Sequence, residues 1–194
     1  MAESARIDLT NQFLIAMPGM VDENFAGSVV YLCEHNERGA LGLVINRPTD
    51  LRLGQLFEKV ELPLQQRPEL AAQPVYFGGP VQTERGFVLH ERVGDDDAGY
   101  QSTLRIPGGL AMTTSKDVLE AIADGAGPRR VLVTLGYSGW QAGQLEDEIR
   151  RNGWLNVDAD PIILFDTPVA ERYGRALSLL GFDPRMLSQE AGHA

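Results

Sequence analysis

RVLVTLGYSGWQAGQLEDEIRRNGW (residues 130–154) decides how the chain is read. After Arg130, the run VLVTL is apolar and β-branched with no polar alternation, the composition of a strand covered on both faces. GYSGW (136–140) then turns to glycine and aromatic residues, and QAGQLEDEIRRN carries its charges at helical spacing. We read a central strand over 130–135 that opens at Gly136 into a helix reaching about Asn152. Ser138 and Gln141 have capping-box spacing at its start. Glu146 with Arg150, and Asp147 with Arg151, are i,i+4 pairs in the favoured order.

Downstream, IILF over 162–165 reads as a further strand, and Thr167-Pro168 starts a last helix. Its apolar positions are Val169, Tyr173, Ala176, Leu177 and Leu180, and Gly181 ends it. Upstream, Val118, Leu119, Ile122 and Ala123 make one helical face. Thr114 or Ser115 caps that helix, Asp117 favours its first turn, and GAGP (125–128) stops it. Further back, SVVYLCE (28–34) and ALGLVIN (40–46) are apolar on both alternating faces and are bridged by HNERG. They read as a hairpin covered on both sides. A short helix fits 53–60, a polar excursion 61–74, and strands 75–77, 86–90 and 101–106. Early hairpins with later strand–helix units predict an α+β fold in one domain, residues 1–194. The ordered core spans about 7–183, and a flexible tail begins at Pro184.

Composition bounds the function. The chain has 194 residues, 43% of them hydrophobic, one Cys and a formal net charge of −10. One Cys excludes an internal disulfide, and the acidic balance disfavours a surface built to neutralise phosphates. The apolar run at 13–17 is too short and its flank too acidic for a secretory signal, and nothing approaches a membrane span. The expectation is a soluble cytoplasmic protein. Asp95-Asp96-Asp97, between Gly94 and Gly99, reads as a solvated loop tip.

Four groups of residues can carry chemistry. Cys33 and His35 stand two apart in a strand and so share a face; they suit thiol nucleophile and base, or metal ligation with His90, or plain burial at a strand end. Gly78-Gly79 with Arg85 can cradle an anion or simply turn the chain. Thr113-Thr114-Ser115 precede a helix N-terminus, where their hydroxyls either bind an anion or cap. Tyr137 and Trp140 can floor a pocket with Gln144 and Glu146 as polar contacts, Glu146 also as general base, or they pack the helix onto the sheet. No nucleotide-loop or strong metal-site spacing is present, and GYSG is not a nucleophile elbow.

Seven blocks in order make the chain resemble one family: FLIAMP (13–18), SVVYLCEHN (28–36), GALGLVINRP (39–48), GGPV (78–81), RGFVLH (85–90), TTSKDVLEAIADGAGP (113–128) and LGYSGWQAGQLEDEIRRNGWL (135–155). Over about residues 11–182 it is similar to the YqgE/AlgH family of small bacterial proteins. The resemblance implies a single α+β domain whose coiled, partly barrel-like, mixed or antiparallel sheet is flanked by helices. It brings the description of a transcriptional regulator, which rests on indirect association, and it carries no catalytic residue or cofactor onto this chain. Its third block adds Asn46 and Arg47 to the ligand-binding candidates. The expected function is a non-enzymatic regulatory or binding protein acting through a small ligand or a protein partner. The alternative is an enzyme acting on a small anionic substrate through Cys33 with His35, or Glu146 with Gln144. No cofactor, metal or membrane is expected, direct nucleic-acid binding is disfavoured, and oligomeric state stays open.

Overall fold

One bent strand joins two halves of a ten-stranded sheet. The computed structural model describes residues 7–20, 22–23, 25–92 and 100–181. Among them the strands are β1 (Gln12–Ala16), β2 (Val29–Asn36), β3 (Gly39–Val44), β4 (Pro48–Arg52), β5 (Pro74–Phe77), β6 (Val81–Glu91), β7 (Thr103–Ile106), β8 (Leu110–Thr113), β9 (Val131–Gln141) and β10 (Trp154–Asp158). Five α-helices flank them: α1 (Leu53–Lys59), α2 (Lys116–Ala123), α3 (Gln144–Arg150), α4 (Pro161–Phe165) and α5 (Val169–Ser178). The sheet order is β10-β1-β2-β3-β9-β6-β8-β7, with β4 and β5 branching from β9. Every pairing is antiparallel except β5 on β9, so the sheet curls as a half-barrel in an α+β domain. The loop run Asp95–Asp97 and the tail from Pro184 lie outside the described residues. No helix among the described residues is long and apolar enough to cross a membrane.

β9 departs from the strand-then-helix expectation. Its first half pairs β6, from Val131 opposite His90 to Leu135 opposite Gly86, while Thr134 and Leu135 also pair β5. At Gly136 the backbone takes φ +78°, and the second half continues as strand, Ser138 to Gln141 pairing Gly42 to Gly39 of β3. Burial there alternates, with Ser138 and Trp140 buried and Gly139 exposed, which is the period of a strand. Ser138 is therefore no cap: its hydroxyl donates to the Gly78 carbonyl at 3.0 Å. α3 begins at Gln144 after Gly143, itself at φ +78°.

One further expectation is corrected. Residues 161–165 form α4 and not a strand, because Pro161 occupies the first turn and the Asp160 carboxylate accepts from the Ile162 amide at 2.9 Å. The strand in that region is β10, which begins beyond the helix end expected at about Asn152, in a stretch to which the sequence assigns no element. It pairs β1 from Trp154 opposite Ala16 to Asp158 opposite Gln12.

Three apolar clusters cover the sheet on both sides. One packs Phe13, Tyr31 and Leu43 against Ile163 and Leu164 of α4 and Ala176 and Leu177 of α5. A second joins α1 and α2 to the β5–β6–β9 region through Phe57, Val118 and Ile122. The third sets Leu14, Val30 and Leu32 against Trp140, Leu145 and Trp154. The double cover explains why β2 and β3 are apolar on both alternating faces.

A bulge in β2 bears directly on chemistry. Leu32 faces Gly42 and Glu34 faces Leu41, so Cys33 is the extra residue. Cys33 follows Tyr31 into the first cluster. His35 is opposite Ala40, which packs on the third. Directly opposed side chains share a face, so the bulge places Cys33 and His35 on opposite faces of the sheet.

Candidate functional site

The end of the β2–β3 hairpin, the second half of β9 and the start of α3 converge on two adjoining clefts. Gly39 lets them meet: at φ +137° it lies so close to β9 that a Cβ would sit 2.1 Å from the Trp140 carbonyl oxygen. The first cleft, about 610 Å³, is bounded by Glu34, Arg38, Tyr137, Trp140 and Gln144. The second, about 690 Å³, has Ile7, Leu9 and Ile149 as apolar walls and His35, Glu146 and Arg150 among its polar ones. Asn36 borders both.

His35 links three elements. Its Nδ1 accepts from the Leu9 amide at 3.0 Å, and its backbone N–H donates to Thr10 Oγ1 at 3.0 Å. Its Nε2 bonds Glu146 Oε1 of α3. Since Nδ1 accepts, the neutral ring carries its proton on Nε2 and donates it to the carboxylate. Glu146 is thus held by His35, and the expected Glu146–Arg150 pair gives way to a 3.4 Å bond from Arg150 Nε to the Glu146 carbonyl. Asp147 and Arg151 do pair, at 3.2 Å. Gln144 Oε1 accepts from the Gln141 amide at 2.9 Å across the turn before α3, whose N-cap, Gly143, has no side-chain bond. Tyr137 stands edge-on to Phe87, and Trp140 is buried between Phe25 and Trp154.

Cys33 is 1% exposed, and burial pushes its thiol well above the ordinary range. Thiolate chemistry needs access and a lowered pKa, and this thiol has neither. We expect a maleimide or iodoacetamide reagent to modify native Cys33 at least about a thousandfold more slowly than the urea-unfolded chain, since reaction requires opening of the core. Equal rates would place the thiol at the surface.

The other candidates lie elsewhere. Gly78 and Gly79 mark a backbone crossing: the Gly78 amide donates to the Leu135 carbonyl at 2.9 Å, and its carbonyl accepts from Val44. Arg85 donates to Thr114 Oγ1 at 3.2 Å and lies over Phe87. His90 Nδ1 donates to the Glu91 carbonyl at 2.9 Å, and its Nε2 meets Thr113 Oγ1 at 2.8 Å. No three His, Cys, Asp or Glu side chains among the described residues gather as a metal set. Asn46 accepts from the Val29 amide and donates to the Gly27 carbonyl, both at 2.9 Å, while Arg47 donates to the Glu23 and Ala26 carbonyls. These two residues hold the β1–β2 loop.

Ser115 occupies the N-cap of α2 without bonding its backbone; its hydroxyl donates to Asp117 at 2.5 Å and accepts from the Ser102 amide. Burial raises the Asp117 pKa, but the bonds from Ser115 and the Gln101 amide outweigh it and hold the carboxyl below its ordinary value. A carboxyl lowered by folding stabilises above its unfolded pKa and loses that contribution as pH falls through the folded one. The stability advantage of the native chain over Asp117→Asn should therefore shrink between pH 5 and pH 2.5, followed by urea unfolding. An advantage independent of pH would contradict this bonding.

The structure thus places Tyr137, Trp140 and Gln144 at the first cleft and His35 and Glu146 at the second, with Asn36 bordering both, and sets Cys33, His90, Arg85 and the 113–115 hydroxyls apart from them. Sequence reasoning missed Glu34, Arg38, Leu9 and Ile149; the hairpin turn was the one signal for Arg38, and none marked Leu9.

Residues 13–185 match the AlgH-like family. The chain belongs to the AlgH-like family. Among AlgH-like relatives, a UPF0301 protein of Cupriavidus pinatubonensis is 68% identical over 195 residues, covering 100% of both chains. One of Ralstonia nicotianae is 67% identical over 190 residues, 98% of this chain and 97% of the relative. The solution structure of AlgH from Pseudomonas aeruginosa superposes with TM-score 0.76 at 51% identity over the full length of both chains. The crystal structure of protein DIP2367 from Corynebacterium diphtheriae, 23% identical, shares the fold with TM-score 0.72 over 95% of this chain and 92% of its own.

Proposed function

We propose that this AlgH-like chain is a non-enzymatic regulatory protein that binds a small ligand at the hairpin end. The supporting observation is the pair of adjoining clefts, where an aromatic and apolar lining meets a few fixed polar groups, the composition of a small-molecule site. The enzymatic alternative loses its geometry. Cys33 is on the other face of the sheet from His35, both His35 nitrogens are engaged, and Gln144 Oε1 is taken by the Gln141 amide. The acidic balance speaks against DNA as the direct target.

A thermal-shift panel of nucleotides, sugar phosphates, amino acids, aliphatic amines and duplex DNA tests this. A small molecule at 100 times its Kd adds about 2.7 kcal/mol, a rise of roughly 5–10 °C for a chain of this size. Glu146→Gln should abolish the shift. A panel with no small-molecule response, or a shift by duplex DNA alone at 0.15 M salt, overturns the proposal.

A further inference from the structure

The cleft between β2 and α3 has a sign. Among the described residues of its lining, Asp8, Glu37 and Glu146 bring three carboxylates and Arg150 one guanidinium. Both ring nitrogens of His35 are engaged, Nδ1 by the Leu9 N–H and Nε2 by Glu146. Arg150 inclines onto the carbonyl of its own helix. Glu146 is oriented by the bond from His35 Nε2 to Oε1, and its side chain keeps 28% of its surface exposed, which leaves Oε2 for a ligand. Around this fixed charge the walls are aliphatic, and Ile7 is 59% exposed, one of few large apolar side chains so placed among the described residues.

We propose that this cleft binds a small aliphatic amine, its ammonium on Glu146 and its alkyl stem along Ile7, Leu9 and Ile149. The inference rests on the ligand-binding reading and narrows it to one chemical class. A carboxylate or phosphate ligand would meet the excess of negative charge. A divalent cation would need several oxygen ligands, which aliphatic walls do not supply. An alkylammonium answers both features: its N–H groups donate to an oriented carboxylate, and its stem covers apolar surface.

The test compares three heads on one stem: n-pentylammonium, n-pentanol and pentanoate, titrated into the full chain and followed by amide chemical shifts of Leu9, Glu146 and Ile149. Pentylammonium should saturate, with pentanol and pentanoate at least tenfold weaker, the worth of one charge-assisted hydrogen bond. Glu146→Gln keeps an oxygen for His35 and should weaken pentylammonium at least tenfold while leaving pentanol unchanged. Arg150→Gln, at an exposed position, should tighten pentylammonium several-fold and guards against a Glu146 variant that fails to fold. Equal binding of all three heads, preference for pentanoate, or indifference to both variants overturns the amine site and leaves the ligand-binding reading standing. Failure of pentylammonium beside a thermal-panel hit from another class does the same. Failure of every compound in both experiments removes both.

Discussion

Gly79→Ala should leave no folded protein at 25 °C, or cost at least about 4 kcal/mol in urea unfolding. Gly79 holds φ +155°, and a Cβ there would lie 2.2 Å from the carbonyl carbon and oxygen of Tyr137 and 2.4 Å from the Ser138 nitrogen. All three are backbone atoms of β9, so no side-chain rotation relieves the collision. The neighbouring contact is equally close, since a Cβ on Gly136 would stand 2.4 Å from the Gly79 carbonyl oxygen. Relief would require β9 to move off the β5–β6 turn at the point where it passes from one half of the sheet to the other. Gly181→Ala is the control: it also has positive φ, +82°, but no atom of the described residues lies within 4 Å of the added carbon. Its expected cost is about 1 kcal/mol, the conformational penalty alone. If the two variants unfold at the same urea concentration, the backbone crossing does not constrain the fold.

Arg172→Ala should cost about 3–5 kcal/mol. Arg172 is 5% exposed on α5, donates from Nε to the Thr167 carbonyl at 2.9 Å and from its guanidinium to the Ile45 carbonyl, and stacks over Tyr76 at 5.0 Å. It ties α5 to the end of β3 and to its own preceding turn, so truncation leaves two carbonyls without their donor and a void beside Tyr76. Arg172→Lys should recover little, because an ammonium cannot reproduce a planar fork that bonds two carbonyls and stacks on a ring. Urea midpoints with an unchanged slope would show that stability alone has moved. A midpoint shift below about 1 kcal/mol for the Ala variant would mean the guanidinium merely shields the core.

What could be read in the sequence was whatever depends on local composition. The β2–β3 hairpin, the strand at the start of β9, α1, α2 and α5 all follow from apolar pattern and punctuation. The second half of β9 escaped because Gly136, Ser138 and Gly139 are poor strand formers, and their conformation comes from β3, about a hundred residues away in sequence. The error over α4 has a local origin, since Asp160-Pro161 is a helix start that the apolar run behind it obscured. For the site, Tyr137, Trp140, Gln144, His35 and Glu146 stood out by residue type and context. Pairing His35 with Cys33 failed because a bulge is a property of two strands in register, invisible in either alone. Leu9 enters through its backbone N–H, which every non-proline residue carries.

The pairing of β1 with β10 sets an order on biosynthesis. β1 lies between β2 and β10, and its second neighbour is separated from it by most of the chain. At roughly 5–20 residues per second, the ribosome needs about 7–28 s after finishing β1 to supply β10. Through that interval β1 presents one row of unpaired backbone groups on an apolar strand, the template that strand-to-strand aggregation uses. Nascent chains stalled before residue 154 should therefore be the form that chaperones hold, and release of the tenth strand is the step that closes the vulnerable edge.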